Sequence, residues 1–311
     1  MGYLNNQQIN NLDKLISKYE LNDFRDQILR IAKTSIQITP AEPHHYQAVG
    51  TTRIGGRPDL PMNIEWPRIR DLYLVFLAQI NLSEIRFGDK TKAALTEATQ
   101  LSLLNQGDLV RIPYEHELLP KTGMLYFFLG STKNYHNIEH RVIYVPEIRF
   151  SKLGPPQAPD KETMIKTDRG EWFMPYSVNL QPAISLPMFF YREFESELDA
   201  QVSEYQYENF MELCDSLNNS MGFDLPASRL LGYPYSPDVD WQLGDHLHIE
   251  WKLSSSKLRG EFHQWSLLFE LHSHDETNMY WGDWGKLAFM IRHDHLAQMD
   301  FSHTFLTGFS H

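Results

Sequence analysis

Histidines spaced two residues apart are the residues of this chain whose type and spacing come closest to a metal-binding set. The pairs are His246/His248, His272/His274 and His293/His295. On a strand, residues i and i+2 project from one face, as a two-histidine ligand set requires. With Asp275, the pair His272 and His274 would form a His/carboxylate site for zinc, manganese or iron. Such pairs also arise readily among fourteen histidines, and a half-exposed strand histidine often contacts only solvent or a carbonyl group.

The segment HSHDETNMYWGDWG, residues 272–285, has a second interpretation as a hairpin connection between two strands. In that interpretation Gly282 and Gly285 supply positive φ, and Asp283 closes an Asx turn. Trp281 and Trp284 then cover the ends of the core. The pattern favours the hairpin and leaves a metal site as the alternative.

A second candidate site is a cleft that combines polar and aromatic side chains. Its residues are Arg53, Arg57, Trp66, Gln79, Arg229 and Trp281. This mixture is typical of recognition surfaces, although core and turn roles would explain the same residues. No catalytic residue is assigned, because the sequence contains neither a GxSxG elbow nor a phosphate-binding loop at Gly55-Gly56-Arg57.

Acidic residues are concentrated in one block, residues 193–250, which holds thirteen acids and the single base Arg229. The rest of the chain is close to neutral, since the whole chain carries −12. An acidic face repels nucleic acid and attracts a basic protein partner by electrostatic steering. Glu204, Glu208 and Glu212 are the candidate contact residues. The alternative is a solvated helix face that contributes only solubility.

Length and composition predict one domain over residues 1–311, because 42% hydrophobic residues are enough for a large core. The N-terminal residues lack the apolar run of a signal peptide, and no apolar window is long enough to span a membrane. We therefore expect a cytoplasmic protein that needs no cofactor. The lone cysteine, Cys214, excludes a disulfide framework and is expected to be a buried, inert thiol.

Periodicity predicts the elements that position these residues. Apolar spacing of three to five residues predicts helices over 7–34, within a helical region 1–40, and a long acidic helix over 193–221. Acids in the first helices argue against membrane binding and favour packing on a sheet. Short runs rich in β-forming residues predict strands; they are 73–82, 123–130, 141–150, 245–253, 265–273 and 285–293. The proline content of segment 152–172 predicts a surface loop or linker.

Two stretches repeat the same order of features, an Arg-Gly-Pro turn, a buried strand and a strand that follows a glycine. The first is 53–150 and the second is 229–303. We therefore predict an α+β fold of mostly antiparallel sheets, built from two pseudo-repeats around one core.

The residues of these stretches resemble the YwqG-like family, bacterial proteins built on a domain of unknown function. The resemblance rests on GGRPDLP (55–61), EWP (65–67), FLAQINL (76–82), LP (119–120), GMLYFF (123–128), LLGYP (230–234), WGD (281–283) with Gly285, and DFS (300–302). The resemblance implies an α+β fold with no accepted activity and no accepted catalytic residues. It also implies an immunity role, because some members of the family are encoded beside bacterial toxin genes. This chain departs from the family at His272 and His274, where acids are usual.

Two classes of function follow from the sequence. One is a protein-binding protein of the immunity type that binds a basic partner such as a toxin. The other is a small metal-dependent enzyme that uses a site around His272 and His274.

Overall fold

The computed structural model describes residues 6–86, 115–131, 137–147, 153–154, 159–160, 163–166, 172–188, 202–218, 227–235, 238–253 and 261–309. Within these ranges, no helix combines the length and the apolar composition that a membrane span requires. Helices and mostly antiparallel strands occur together, so the prediction of an α+β fold is confirmed.

The elements have the following bounds. The helices are α1 (Asn6–Lys18), α2 (Arg25–Ile31), α3 (Glu115–Leu118), α4 (Glu204–Asn218), α5 (Asp238–Glu250) and α6 (His293–Ala297), with short 3-10 turns at Asn22–Phe24 and Leu82–Glu84. The strands are β1 (Lys33–Pro43), β2 (Arg53–Ile54), β3 (Leu60–Pro61), β4 (Arg68–Ile69), β5 (Leu72–Tyr73), β6 (Val75–Asn81), β7 (Met124–Leu129), β8 (His140–Val145), β9 (Leu153–Gly154), β10 (Tyr176–Ser185), β11 (Ser228–Leu230), β12 (Trp265–His272), β13 (Lys286–Arg292) and β14 (Thr304–Phe309).

Ten strands form one sheet in the order β14-β13-β12-β11-β1-β10-β2-β6-β7-β8. Its two edge strands approach each other, because the backbone N–H of Ile138, just before β8, donates to the carbonyl of Leu306 in β14 at 2.8 Å. His140 Nε2 in β8 also lies 2.8 Å from Thr304 Oγ1 in β14. The sheet is therefore nearly closed, and small two-stranded pairs, β3-β9 and β4-β5, accompany it.

The sheet has a largely apolar inner face, and helices cover part of its outer face. Residues that alternate along a strand project to opposite faces. Leu230, Leu271 and Leu287 belong to the main core cluster, on the inner face of β11, β12 and β13. On the outer face, α1, α2 and α4 pack around Ile184 of β10, while α5 packs on β12, β13 and β14.

The first two helices confirm the prediction over 7–34, and they pack against the sheet as expected. The helical region is shorter than 1–40, because β1 already begins at Lys33. β1 and β10 are the central pair of the sheet, with Lys33 opposite Ser185 and Thr39 opposite Asn179. Neither of these central strands was predicted. Their polar outer residues, such as Gln37, break the apolar run that marks the other strands.

Four predicted strands are confirmed with small changes of boundary, namely those at β6, β7, β12 and β13, and β8 accounts for the start of 141–150. The predicted strand over 245–253 is wrong, because these residues belong to α5 and the turn that follows it. Val239, Leu243 and Leu247 recur every four residues and are fully buried, which is the period of a helix.

The acidic helix predicted over 193–221 begins later, as α4 covers Glu204–Asn218. Residues 193–201 and 219–221 lie outside the described residues. The described parts of the segment 152–172 are not all surface loop. Leu153 pairs with Pro61, and Met164 and Ile165 are buried in the main core cluster.

The segment 272–285 is a hairpin connection, since it joins β12 to its antiparallel neighbour β13. Gly282 has positive φ as predicted, but Gly285 does not, and the other left-handed residues of the segment are Asn278 and Trp284. Gly285 is instead a point of close approach, because a Cβ there would lie 1.8 Å from the carbonyl oxygen of Phe309. Trp281 is buried in the core, whereas Trp284 stays 36% exposed.

Candidate functional site

A buried charged cluster lies on β2 and β6, and we call it the Arg53 centre (Arg53, Asp59 and Gln79). Arg53 and Gln79 are directly opposite each other across the two strands, and Asp59 follows the turn after β2. Arg53 Nη1 donates to Asp59 Oδ2 at 2.6 Å, and Gln79 Nε2 donates to the same oxygen at 2.9 Å. The guanidinium also donates to the carbonyl of Arg57 through Nε and Nη2.

The Arg53 centre is fully partnered and electrically balanced. Burial acts to raise the pKa of Asp59, but the hydrogen bond and charge of Arg53, with donors from Gly50 and Gln79, hold that pKa below its ordinary value. Burial raises the pKa of Tyr126, whose hydroxyl donates to the Asp59 carbonyl at 2.7 Å. One cation thus meets one carboxylate, so we assign the Arg53 centre a structural role.

The other residues of the predicted cleft are divided between several places. Arg57 lies over the ring of Trp172, which contacts Trp66 edge to face at 5.7 Å. The ring centroids of Trp281 and Phe173 are 5.5 Å apart. Since Phe173 follows Trp172 in the chain, Trp281 lies close to the same group of aromatic rings. Arg229 does not join this group, because β1 and β10 separate β11 from β2. The structure therefore brings together Arg53 and Gln79, with Arg57 and Trp66 nearby, and leaves Arg229 elsewhere.

Arg229 belongs to a second buried cluster on β11, β12 and β13, which we call the Arg229 centre (Arg229, Glu270, His272 and Lys286). All four residues are at most 3% exposed. His272 Nε2 lies 2.9 Å from Glu270 Oε1, and Arg229 Nε lies 3.5 Å from the same oxygen. Arg229 Nη2 donates to Asn218 Oδ1, at the end of α4, at 2.7 Å. The cluster therefore lies on the outer face of the sheet beside α4.

Lys286 is the least satisfied member of the Arg229 centre. Its Nζ is buried without a hydrogen-bond acceptor among the described residues, as is Arg229 Nε. The amine instead lies 3.4 Å from the centroid of the Tyr235 ring and 5.8 Å from that of Phe309. A cation over an aromatic ring is stabilised, but a buried ammonium group normally has a hydrogen-bonded partner as well.

The electrostatics of the Arg229 centre follow from this arrangement. Burial acts to raise the pKa of Glu270, but the hydrogen bond of His272 and the charges of Arg229 and Lys286 lower it to about 2. Burial lowers the pKa of His272 to about 3, so His272 is neutral and donates from Nε2. Burial also lowers the pKa of Lys286 to about 8, against the charge of Glu270. At neutral pH, these four residues hold two cations and one carboxylate.

The two centres occupy matching positions in the sheet. The order β2-β6-β7-β8 on one side of the central pair matches β11-β12-β13-β14 on the other. Gln79 is opposite Arg53 and Glu270 is opposite Arg229. Two residues further along β6 and β12, Asn81 is opposite Met124 and His272 is opposite Lys286.

The loops after β2 and β11 also match. Asp59 and Tyr235 each lie six residues after the arginine of their centre. The Asp59 backbone N–H donates to Gln79 Oε1 at 2.8 Å, and the Tyr235 backbone N–H donates to Glu270 Oε2 at 2.9 Å. Tyr235 therefore stands where the Arg53 centre has its carboxylate.

The histidine pairs do not form the ligand sets that their spacing predicts. His272 contacts Glu270, and His274 Nε2 lies 3.3 Å from Ser228 Oγ, while Asp275 is exposed. The other two pairs involve helices α5 and α6, where i and i+2 diverge, so the prediction of one strand face is wrong for them.

A different histidine set comes together next to α6. His295, Asp300 and His303 place one ligand atom each within 4.8 Å of one another, and within the described ranges it is the one such group found. His303 Nδ1 lies 2.8 Å and His295 Nδ1 lies 3.5 Å from Asp300 Oδ2. Two imidazoles and a carboxylate are a ligand set that zinc, manganese and iron accept in proteins.

The predicted acidic face is the exposed side of α4. Glu204, Glu208 and Glu212 recur every four residues of this helix, and all three are exposed. Cys214, on the buried side of the same helix, has a pKa that burial raises, which confirms the expectation of a buried thiol.

Sequence reasoning missed Asp59, Glu270, Lys286, Asp300 and His303 as site residues. For Glu270 and Lys286 a signal existed, because Glu270 lies inside an otherwise apolar strand run and Lys286 begins another. A charge in a fully buried strand requires a partner, which marks a centre even without a motif. For Asp300 and His303 the sequence offers no comparable signal.

These features define an α+β protein with a nearly closed, mostly antiparallel sheet and two buried charged centres at matching strand positions. The profile of the family described as Domain of unknown function (DUF1963) matches residues 52–94 and 88–308, which is most of the chain and includes both centres. The chain belongs to this family. A search of curated proteins found no match.

Proposed function

We propose that the chain is a cytoplasmic, YwqG-like protein-binding protein of the immunity type, which binds a cationic partner such as a toxin through the acidic faces of α4 and α5. The observation that carries this proposal is the burial of Arg229, the single base of the block 193–250, which is 3% exposed. In the described part of that block, every exposed charge is therefore acidic. Within the described residues of the block, a basic partner would meet no like charge, and Lys18 of α1 is a basic group beside α4.

Exposed aromatic side chains lie among these acids. Trp241 on α5 is 78% exposed, with the exposed residues Asp238 and Asp245 one turn away on either side. Tyr205 on α4 is also largely exposed, and its hydroxyl donates to Glu20 Oε2 at 2.9 Å. Tryptophan and tyrosine contribute much of the binding energy at protein interfaces, while surrounding charges set the association rate. This combination favours a docking face over a merely solvated surface.

The test is salt-dependent capture of a partner from the native cell, followed by binding of that partner in purified form. The charge-reversed variant carries Glu204→Lys, Glu208→Lys and Glu212→Lys. Each reversal adds two positive charges, so the net charge changes from −12 to −6. We expect a basic protein that binds at low salt, dissociates at high salt and does not bind the variant.

A matched control reverses three exposed acids in the first half of the chain, Glu42→Lys, Glu65→Lys and Asp71→Lys. It changes the net charge by the same amount but leaves α4 intact. Binding that is lost equally in both variants would reflect total charge alone and would contradict a specific face. Binding that ignores salt and both sets of charges would contradict the electrostatic proposal altogether.

A second candidate function is a small metal-dependent enzyme, the alternative first placed at His272 and His274. Among the described residues, three ligand atoms converge at His295, Asp300 and His303 and not at His272 and His274, so a metal site is better supported there. His295 and His303 stack with ring centroids 4.5 Å apart, and both turn Nδ1 toward the carboxylate. This geometry is favourable for one shared ion.

Metal analysis of protein purified without a nickel column separates the two locations. The double variant His295→Ala and His303→Ala should lose bound zinc or manganese if the set next to α6 is the site. The double variant His272→Ala and His274→Ala should lose it if the hairpin is the site. Equal metal content in all three proteins would exclude both sites.

We also propose that residues 53–150 and 229–303 are pseudo-repeats. The matching strand order, the matching register at the two arginines and the equivalent loop hydrogen bonds support this proposal. A further match is the irregularity in register between Phe76 and Ala78 in β6 and between Leu267 and Phe269 in β12. On this proposal, the two centres share an origin and have diverged in charge.

A further inference from the structure

The buried residues of the Arg229 centre carry an excess of positive charge, and the nearby carboxylate of Asp215 is exposed to solvent. Glu270 is the one buried carboxylate beside Arg229 and Lys286 among the described residues. Both of its oxygens are occupied, Oε1 by His272 Nε2 and Oε2 by the backbone N–H of Tyr235. Lys286 Nζ is left without an acceptor, and Arg229 Nε makes no hydrogen bond beyond its 3.5 Å ion-pair contact with Glu270 Oε1. An unpaired buried ammonium group is costly, so an acceptor is required at this place.

The Arg53 centre shows which chemical group fits a site of this geometry. There the carboxylate of Asp59 reaches the guanidinium from the loop and accepts three hydrogen bonds, from Arg53, Gln79 and the backbone of Gly50. In the Arg229 centre the equivalent residue is Tyr235, which brings no carboxylate. The loop carboxylate is therefore absent from the centre that holds the extra cation.

A second difference between the two centres makes the Arg229 centre more favourable for binding an anion. The residue opposite Asn81 is the apolar Met124, whereas the residue opposite His272 is Lys286. One centre thus has a loop carboxylate and no lysine, and the other has a lysine and no loop carboxylate. The two changes act in the same direction, since each makes the Arg229 centre more positive.

We propose that the Arg229 centre binds the carboxylate group of a small organic acid, which accepts hydrogen bonds from Lys286 Nζ and Arg229 Nε. This proposal is independent of the acidic docking face. A carboxylate between two cationic donors forms charge-assisted hydrogen bonds, which are about twice as strong as neutral ones. The ligand would supply the charge that Asp59 supplies in the Arg53 centre.

The surroundings of Lys286 determine how the ligand reaches it. The groups that act on its amine are Glu270 of β12, Arg229 of β11, His272 opposite it, Tyr235 above it and Asp215 of α4. Tyr235 is half-buried, so the amine lies one side chain below the surface. Asp215 is exposed and lies 3.4 Å from the Tyr235 hydroxyl, where its carboxylate would compete with the ligand.

The test is fluorine NMR of trifluoroacetate, used as a carboxylate probe, with the full-length protein. We expect saturable line broadening that acetate reverses and that equimolar chloride does not. The variant Lys286→Met introduces methionine because Met124 occupies the equivalent position of β7. It should weaken binding of the probe about tenfold or more, which corresponds to about 1.4 kcal/mol. Asp215→Asn removes the competing carboxylate and should strengthen binding.

Circular dichroism verifies that both variants are folded before binding is compared. The proposal fails if the wild-type protein broadens the probe signal no more than Lys286→Met does, or if Asp215→Asn weakens binding. Displacement of the probe by inorganic phosphate as readily as by acetate would also overturn it, because the site would then recognise negative charge and not a carboxylate.

Discussion

Replacing Glu270 by Gln removes the only carboxylate that the described residues place between Arg229 and Lys286, at nearly constant volume. Gln is also the residue at the equivalent position of the Arg53 centre, where Gln79 occupies the same register. The substitution therefore tests charge and not shape. We expect it to destabilise the folded protein, because two buried cations lose their counter-charge.

The size of the effect follows from the pKa of Glu270. The folded value of about 2 lies below the ordinary value of 4.5, even though burial acts in the opposite direction. At neutral pH this difference corresponds to at most about 3 kcal/mol of stabilisation by the ionised carboxylate, because the charge of a protonated His272 is absent there. Since Glu270 is fully buried, solvent does not screen this interaction. Loss of one partner from a buried ion pair typically costs about 3–5 kcal/mol, which agrees.

Urea unfolding at neutral pH measures the loss as a lower midpoint with an unchanged slope. A double-mutant cycle with Lys286→Met identifies which cation is responsible. If Glu270 mainly balances Lys286, the cost of Glu270→Gln falls in the Lys286→Met background. A cost below about 1 kcal/mol in the wild-type background would refute the reasoning, because a neutral contact contributes that much.

Three further predictions concern other buried groups. Burial lowers the pKa of His140 to about 4, so its folded form is neutral and its contribution to stability is complete above pH 6.5 and declines as the pH falls toward 4. Denaturant unfolding at pH 7 and pH 5 should differ by about 2 kcal/mol more in the wild-type protein than in His140→Gln. Gly285→Ala should lower stability by about 2 kcal/mol, measured by thermal unfolding, because its Cβ would overlap the carbonyl of Phe309; a neutral outcome would mean that the β13-β14 edge yields readily. Cys214 is buried, and its pKa is raised mainly by that burial, so a thiol reagent should modify it only on unfolding; rapid labelling of the native protein would contradict this.

Several elements could be predicted because their signal is local. β6 and β12 are buried along their whole length, so every residue is apolar or partnered, and the run is visible without knowledge of the fold. The spacing of apolar residues likewise identified α1 and α2. The hairpin from β12 to β13 was predicted for the same reason, since a short connection between two strands is a local feature.

Other elements were missed because local patterns mislead there. Residues 245–250 alternate between polar and apolar side chains like a strand, and only the wider spacing of Val239, Leu243 and Leu247 reveals a helix. β1 and β10 carry polar residues on one face, and β10 contains Pro182, so neither resembles a core strand in isolation. Their central place in the sheet comes from pairing between distant segments.

By itself, the sequence determined the type of most elements, the acidic block and the two arginine-containing turns, because periodicity, net charge and turn residues are read from neighbouring positions. Only the tertiary structure decided which charges meet. Asp59 reaches Arg53 from the loop after β2, which is a local contact. Glu270 and Lys286 reach Arg229 through the register of β11, β12 and β13. Register is set by burial of one face of the whole sheet, and a shift of one residue would send each of these charges to the opposite face. That cooperative choice is absent from any short stretch of sequence, and it is what brings Glu270 and Lys286 together with Arg229.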